Sequence, residues 1–455
     1  MVQKKIAYVC FVVFALLSNN VLLAQNIANF AGGGSGGLGD GGPATAGKVP
    51  LPAFCSFDAV GNLYFIEDYS SPRIRMVDTA GIITTIAGNG IPGYSGDSGL
   101  ATNAKIHPEG TIVDEAGNIY FVDYVYNRVR KVDKSTGIIY TIGGTGSTIY
   151  NGENIPALSA GMDPSGITID KHHNIYIIVY ARIRKIDTAG IITTVAGNGT
   201  GGDTGDNGPA DSAEIKSDYA ICTDSIGNLY FGSNYKIRKV NINTGIITTI
   251  AGTGNGIYNG DGMHADSANI DPWALDFDKY GNLFIADYSN NRIRKIDTSG
   301  IIHTIAGDGT AAYGGDNGPA IFAHIWHPEG VAIDKCGNVF IADEANNRIR
   351  VVIYDSSCVK FADTINHDTS AYINNNTFVT NFIIHPNPVT NILYLENVKS
   401  TTEYNLLNSL GIVVQHGLLT MLHNALDLGE LSPGIYYLQL TNDKKEKVFK
   451  KVIKQ

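Results

Sequence analysis

Two segments, His107-Pro108-Glu109 and His327-Pro328-Glu329, carry the same triplet far apart in the chain. Four others hold the corresponding place ahead of an apolar run: Leu51-Pro52-Ala53, Asp163-Pro164-Ser165, Ser217-Asp218-Tyr219 and Asp271-Pro272-Trp273. Imidazoles and carboxylates brought around one axis could hold a divalent cation. Catalytic zinc needs three convergent ligands, and calcium takes six to eight oxygens. His107, Glu109, Asp163, Asp271, Trp273, His327 and Glu329 are therefore the candidate channel and ligand residues. In the plainer reading they face solvent or cap neighbouring turns, and Trp273 and Tyr219 are packing residues. No catalytic residue is assigned, because the chain has no nucleophile elbow, phosphate loop or zinc-protease helix motif.

Two other patterns bear on chemistry. Acidic-glycine loops recur at Gly39-Asp40-Gly41-Gly42-Pro43-Ala44, Gly205-Asp206-Asn207-Gly208-Pro209-Ala210 and Gly315-Asp316-Asn317-Gly318-Pro319-Ala320, with degenerate copies carrying Asp97, Glu153 and Asp261. Each offers one or two carboxylates, well short of a calcium shell, so each Asp is expected to bond backbone amides of its own turn. Basic strands such as Arg348-Ile349-Arg350 start also at Arg73, Arg128, Arg182, Lys236 and Arg292. They recur once per unit and do not cluster, which argues against phosphate binding. Asp123, Asp287 and Asp343 precede Arg128, Arg292 and Arg348, which predicts charge pairing across neighbouring strands. Val179 and Ser233 break that pattern.

Both patterns ride on a repeat. Gly61-Asn62-Leu63-Tyr64 returns at Gly117, His173, Gly227, Gly281 and Gly337, at intervals of 56, 56, 54, 54 and 56 residues. His173-Asn174-Ile175-Tyr176 alone has lost the glycine. Each unit reads as an apolar strand ending in Asp, a tight turn, an aromatic strand, a basic strand, and a strand like Ile83-Thr84-Thr85-Ile86-Ala87. Four short strands without helical periodicity describe a propeller blade. The last unit lacks its fourth strand, and a spare copy, Ile27-Ala28-Asn29-Phe30-Ala31-Gly32, lies at the other end. The predicted fold is all-β: a six-bladed β-propeller over 26–354 with four-stranded blades, its N-terminal strand closing the last blade, followed by a small β-sandwich. The long, variable loops between blades make one face the expected binding face.

The run from His327 through Asp343, continuing to Asn347-Arg348-Ile349-Arg350, resembles the NHL repeat family. The resemblance implies the propeller fold, and it leaves function open among protein-binding, RNA-binding and sensor modules and, in related folds, lactonases and lyases. After a polar linker over 355–380, residues 381–455 hold seven strand candidates. His385-Pro386-Asn387-Pro388-Val389, Leu426 to Tyr436 and Lys450-Lys451-Val452-Ile453-Lys454 resemble the C-terminal sorting domain of the type IX secretion system. That resemblance implies export across an outer membrane by that machinery.

Composition sets the remaining bounds. Lys4, Lys5, the apolar run Ile6 to Leu17 and Ala24 read as a signal peptide over 1–24, with no stable membrane span after processing. Gly is abundant at 53 residues and the net charge is −10; the acidic balance disfavours a nucleic-acid surface. Cys55 and Cys222 fall on equivalent strands three repeats apart, too distant to pair, whereas Cys336 and Cys358 could bridge. The expected protein is a secreted or cell-surface module recognising a protein or a glycan, needing no cofactor. The alternative is a metal-dependent hydrolase or lyase with Ca²⁺ or Zn²⁺ in its channel.

Overall fold

The computed structural model describes residues 25–67, 70–217 and 219–360, and later 383–385, 389, 391–396, 402–408, 413–420, 424–441 and 447–454. The expected signal peptide, most of the expected linker and Asp218 lie outside the described residues. The chain divides into two compact units, one spanning Gln25–Asn375 and one holding Asn376–Gln455.

The first unit is all-β and is built from four-stranded antiparallel sheets. In one, Pro52–Phe57, Leu63–Glu67, Arg73–Val77 and Ile83–Ala87 follow each other as neighbours. Equivalent sheets begin at Pro108, Pro164, Ile221, Pro272 and Pro328. The third sheet gains a two-residue strand, Ile155–Pro156, beside its outer strand Ile191–Ala196. In the last sheet the fourth position is taken by Asn26–Gly32, with Asn26 opposite Ile353 and Gly32 opposite Arg348. Each first strand packs against two others. Pro52–Phe57 touches both Pro108–Val113 and Pro328–Ile333, and the contacts run on through Pro164–Ile169, Ile221–Thr223 and Pro272–Phe277. The second strands are buried along their whole length, as in Leu63–Glu67, because sheets cover both of their faces. This is why they read as continuous apolar runs.

The turn after each first strand explains the repeated motif. Asp58 Oδ1 accepts the N–H groups of Val60, Gly61 and Asn62 at 2.9–3.0 Å. Its Oδ2 accepts the Asn62 side-chain amide at 2.7 Å and the Tyr64 hydroxyl at 3.2 Å. Asp114, Asp170 and Asp224 repeat the carboxylate–amide–hydroxyl set. Position four of the turn requires left-handed backbone: φ is 106° at Gly61 and 61° at His173, where a side chain must tolerate it.

The basic strands are the centre of each sheet. Arg75, Arg130, Arg184, Arg238, Arg294 and Arg350 are fully buried. Each meets a carboxylate from a long loop: Asp40 at 2.9 Å, Asp97 at 2.8 Å, Glu153 at 3.4 Å, Asp206 at 2.7 Å, Asp261 at 2.9 Å and Asp316 at 2.5 Å. This corrects the expectation that these acids serve their own turns. Their other bonds go to the outer strand and to a loop tyrosine, as Thr141 Oγ1 and the Tyr94 hydroxyl donate to Asp97 and Thr194 N–H to Glu153. The second carboxylate comes from the end of the second strand: Glu67 at 2.6 Å, Asp123 at 3.3 Å, Asp287 at 3.2 Å and Asp343 at 3.4 Å. Charge pairing within the sheet is as expected, but the partner differs. Asp123 lies opposite Arg128 in register, yet its carboxylate meets Arg130. Arg128 reaches loop carbonyls and covers the Tyr94 ring at 4.0 Å, whereas Arg130, cut off from water, needs the counter-charge.

Cys336 and Cys358 form a disulfide with Cα atoms 6.2 Å apart, and Cys55 and Cys222 are free and buried. In the second unit Ile383–His385, Ile392–Glu396 and Ala425–Asp427 form one sheet. Val413–Leu419, Thr402–Leu407, Gly434–Thr441 and Lys447–Lys454 form another. Leu393, Leu395 and Leu426 of the first share a buried cluster with Leu406, Leu438 and Leu440 of the second.

Two stability outcomes follow. Arg130→Met leaves Asp123 a buried, uncompensated carboxylate and costs ~3–5 kcal/mol in urea unfolding. Arg184→Met, in the sheet where Val179 takes the place of the strand-end acid, costs less than ~1 kcal/mol; equal losses would contradict the pairing scheme. His173→Gly raises stability by ~0.5 kcal/mol, because glycine adopts the left-handed turn without steric cost.

Candidate functional site

The first strands of the N-terminal unit surround a cavity of about 290 Å³, with Cys55, Thr111, Thr168, Cys222, Asp276 and Ile333 among its walls. Asp276 is the acid inside it. Its carboxylate accepts N–H from Phe277 and from Ile333 of the neighbouring first strand, both at 2.8 Å. Burial pushes its pKa up to about 7. Cys55 and Cys222 are buried thiols whose pKa is raised by the same desolvation; they are poor nucleophiles.

Phe54, Tyr219 and Trp273 carry its wall up to where the first strands begin. There, in three of the sheets, the segment before the first strand is tied to the turn between second and third strands. Tyr124 N–H donates to the His107 carbonyl, Tyr288 N–H to that of Asp271 and Ala345 N–H to that of Trp326. This tie brings side chains from two segments of each sheet to one rim. Phe54 and Tyr219 lie 6.1 Å apart by ring centroids, Tyr219 and Trp273 5.0 Å, Trp273 and Tyr288 4.0 Å, and Tyr288 and His327 4.4 Å. The last two pairs are nearly parallel, at 16° and 21°. The result is an arc of rings drawn from different sheets, with Trp326 beside His327 at its end.

The structure separates the predicted residues. Trp273 and His327 belong to the arc. Glu109 and Glu329 are almost completely buried beside it. Burial first, then the charges of Glu344 and Glu109, push Glu329 up to about 8. Asp271 is occupied: its carboxylate accepts the hydroxyl and N–H of Ser289, the capping role foreseen in the plainer reading. Burial lowers the His107 and His327 pKa values. The two His-Pro-Glu triplets are not equivalent. Arg130 bonds the carbonyl of Lys105, three residues before Pro108, while Arg350 bonds that of His324, four residues before Pro328. The extra residue puts His327 in left-handed backbone, φ 53°, and turns its ring onto Tyr288. Asp163 is half-buried. Among the described residues, no three His, Cys, Asp or Glu side chains gather to hold a metal.

Tyr288, Trp326, Glu344 and Asp276 were not singled out by sequence reasoning. Tyr288 had a signal: it follows the aromatic strand of its repeat in the turn that rises to this rim. Asp276 had another, as the acid at a position held by Ser56, Ile112, Thr168, Cys222 and Ala332 in the other sheets. The same face carries exposed apolar residues on its long loops, Ile91, Ile149 and Ile257, and on its turns, Val125, Tyr180 and Tyr235.

Residues 383–455 match the family of secretion system C-terminal sorting domains. Human teneurin-1 is 31% identical over 219 residues, which take in 42% of this chain and 8% of teneurin-1. The NHL repeat-containing protein 2 of Gallus gallus is 27% identical over 296 residues, 56% of this chain and 39% of that protein. The chain thus spans well under half the length of these relatives. Among solved structures, a Bacteroides thetaiotaomicron protein of unknown function superposes with a TM-score of 0.54 at 19% identity, over 72% of this chain and 75% of its own. An auxiliary nutrient binding protein from the same bacterium does so with a TM-score of 0.53 at 18% identity, over 72% and 76%. Identities this low show a shared fold. The chain carries NHL-like repeats in a β-propeller fold and a type IX sorting domain, and is secreted to the cell surface or the extracellular space. Among the described residues no helix is long and apolar enough to cross a membrane.

Glu329 makes stability pH-dependent. Below about pH 4.5 it is protonated folded and unfolded. Between about 4.5 and 8 the unfolded chain loses that proton while the folded chain keeps it, so stability falls as pH rises. The Glu329→Gln variant flattens this fall, by up to ~1.4 kcal/mol per pH unit, in urea unfolding followed from pH 5 to 8.

Proposed function

We propose that this chain is a secreted binding module that recognises a protein or a glycan at the mouth of a closed propeller. In this reading residues 26–354 close into six blades. The pairing of Asn26–Gly32 with Arg348–Ile353 and the contacts of each first strand with two others support it. Residues 381–455 form a small sandwich, supported by the cluster shared by its two sheets, and direct export.

The observation that carries the binding reading is the arc Phe54, Tyr219, Trp273, Tyr288 and His327. Rings stacked on one another and half-exposed on a rigid scaffold offer apolar surface at small entropic cost, which is how recognition surfaces concentrate affinity. The fold shared with an auxiliary nutrient binding protein fits a solute or polymer ligand. The metal-dependent hydrolase reading needs convergent ligands, and among the described residues none gather.

Trp273 and Trp326 are the two tryptophans of the chain, and both stand at this rim. Ligands selected on glycan arrays or by pull-down with the secreted chain should change its intrinsic fluorescence. Trp273→Ala should weaken them about ten- to hundredfold while leaving thermal unfolding within a few degrees of the parent. Ligands that Trp273→Ala leaves untouched would place recognition elsewhere.

A further inference from the structure

The rim holds a carboxyl, Glu329, whose charged form nothing nearby balances. Glu329 is 6% exposed, and among the described residues no donor or cation bonds its carboxyl. Asp343 and Asp58, also buried in this unit, are engaged: Asp343 accepts N–H from Trp326 and meets Arg350, and Asp58 takes five donors. The charges that act on Glu329 are those of Glu344 and Glu109, both of the same sign. The cations of these sheets are committed. Arg350 is held by Asp316 and Asp343, and Arg348 lies over Tyr313 at 4.1 Å. A charge that would stabilise ionised Glu329 must therefore come from outside the chain.

The wall next to this acid favours one kind of cation. The Tyr288 hydroxyl feels the Glu329 charge, so the acid adjoins the stack of Trp273, Tyr288 and His327. Trp273, Tyr288 and His327 are half-buried and lie face to face, so the stack offers apolar edges that suit the methyl or methylene groups of an organic cation. A bare metal ion would want lone-pair ligands, which an aromatic wall does not supply.

Resting on the binding reading above, we propose that the rim receives an organic ammonium group, held against the Trp273–Tyr288–His327 wall with Glu329 as its counter-charge. A free quaternary amine or the side chain of a lysine residue could supply the same chemistry. An alkylammonium that reaches this acid replaces a carboxyl without a partner by a desolvated ion pair, and its methylenes cover the rings.

The test is a fluorescence titration of the full secreted chain with pairs of probes that differ in charge alone. One arm compares choline with 3,3-dimethylbutan-1-ol, and the other compares N-acetyl-lysine methylamide with N-acetyl-norleucine methylamide. The ammonium member of at least one pair should saturate and bind about tenfold or more tighter than its neutral counterpart. Glu329→Gln should erase that preference with the circular dichroism unchanged. A preference only in the first arm identifies a free quaternary amine, and one only in the second a lysine side chain. Equal binding of charged and neutral probes, a preference that survives Glu329→Gln, or no saturable response to either ammonium overturns the inference. A neutral glycan bound at Trp273 without ammonium preference would remove this inference and leave the binding module standing.

Discussion

Each sheet of the propeller unit is organised around an arginine that water does not reach. Ionised and buried, such a group costs several kcal/mol unless charges and carbonyls surround it. That demand reaches in two directions. Inside four of the sheets it calls an acid to the end of the second strand. Outside, it calls a carboxylate from the long loop and loop carbonyls, as Arg130 binds Asp97, Ser95 and Lys105. Loops that look like free surface are thereby fastened to the sheet centre. A tyrosine often completes the arrangement, as Tyr94 donates to Asp97 and lies under Arg128 and Arg130.

Fastened loops make a rim that can hold a preorganised site. In several sheets the segment before the first strand and the turn after the second strand are locked together by backbone bonds, and the aromatic arc stands on these segments and on the strands they lead into. The departures from repetition occur here. One residue is inserted before Pro328, Tyr288 stands in one turn where Glu344 stands in another, and Glu109 and Glu329 occupy positions filled by Ala53 or Ser165 elsewhere. The frame needs sameness, because every buried arginine must find a loop carboxylate. The rim has no such requirement, so its residues are free to differ and to define a ligand.

The repeat spacing, the strand order and the spare outer strand at the N-terminus were legible because each is local and recurs six times in the sequence. The Asp-to-Asn turn was legible in part: the positive φ was expected, but not the five donors on Asp58. Among site residues, Trp273, His327, Glu109 and Glu329 were found because they open the first strands. Tyr288 and Glu344 were missed because their turn approaches the rim only through hydrogen bonds between segments distant in the chain.

The amino-acid sequence alone determined the all-β repeat, its register and the sorting tail. These rest on alternation, turn chemistry and motif, which act over a few residues. Tertiary structure decided which arginine meets which acid, since register places Asp123 opposite Arg128 while burial gives it to Arg130. It also decided that two identical triplets diverge, and that rings from separate repeats meet as one surface. Those outcomes depend on desolvation and on approach between segments far apart in the chain, which no local pattern encodes.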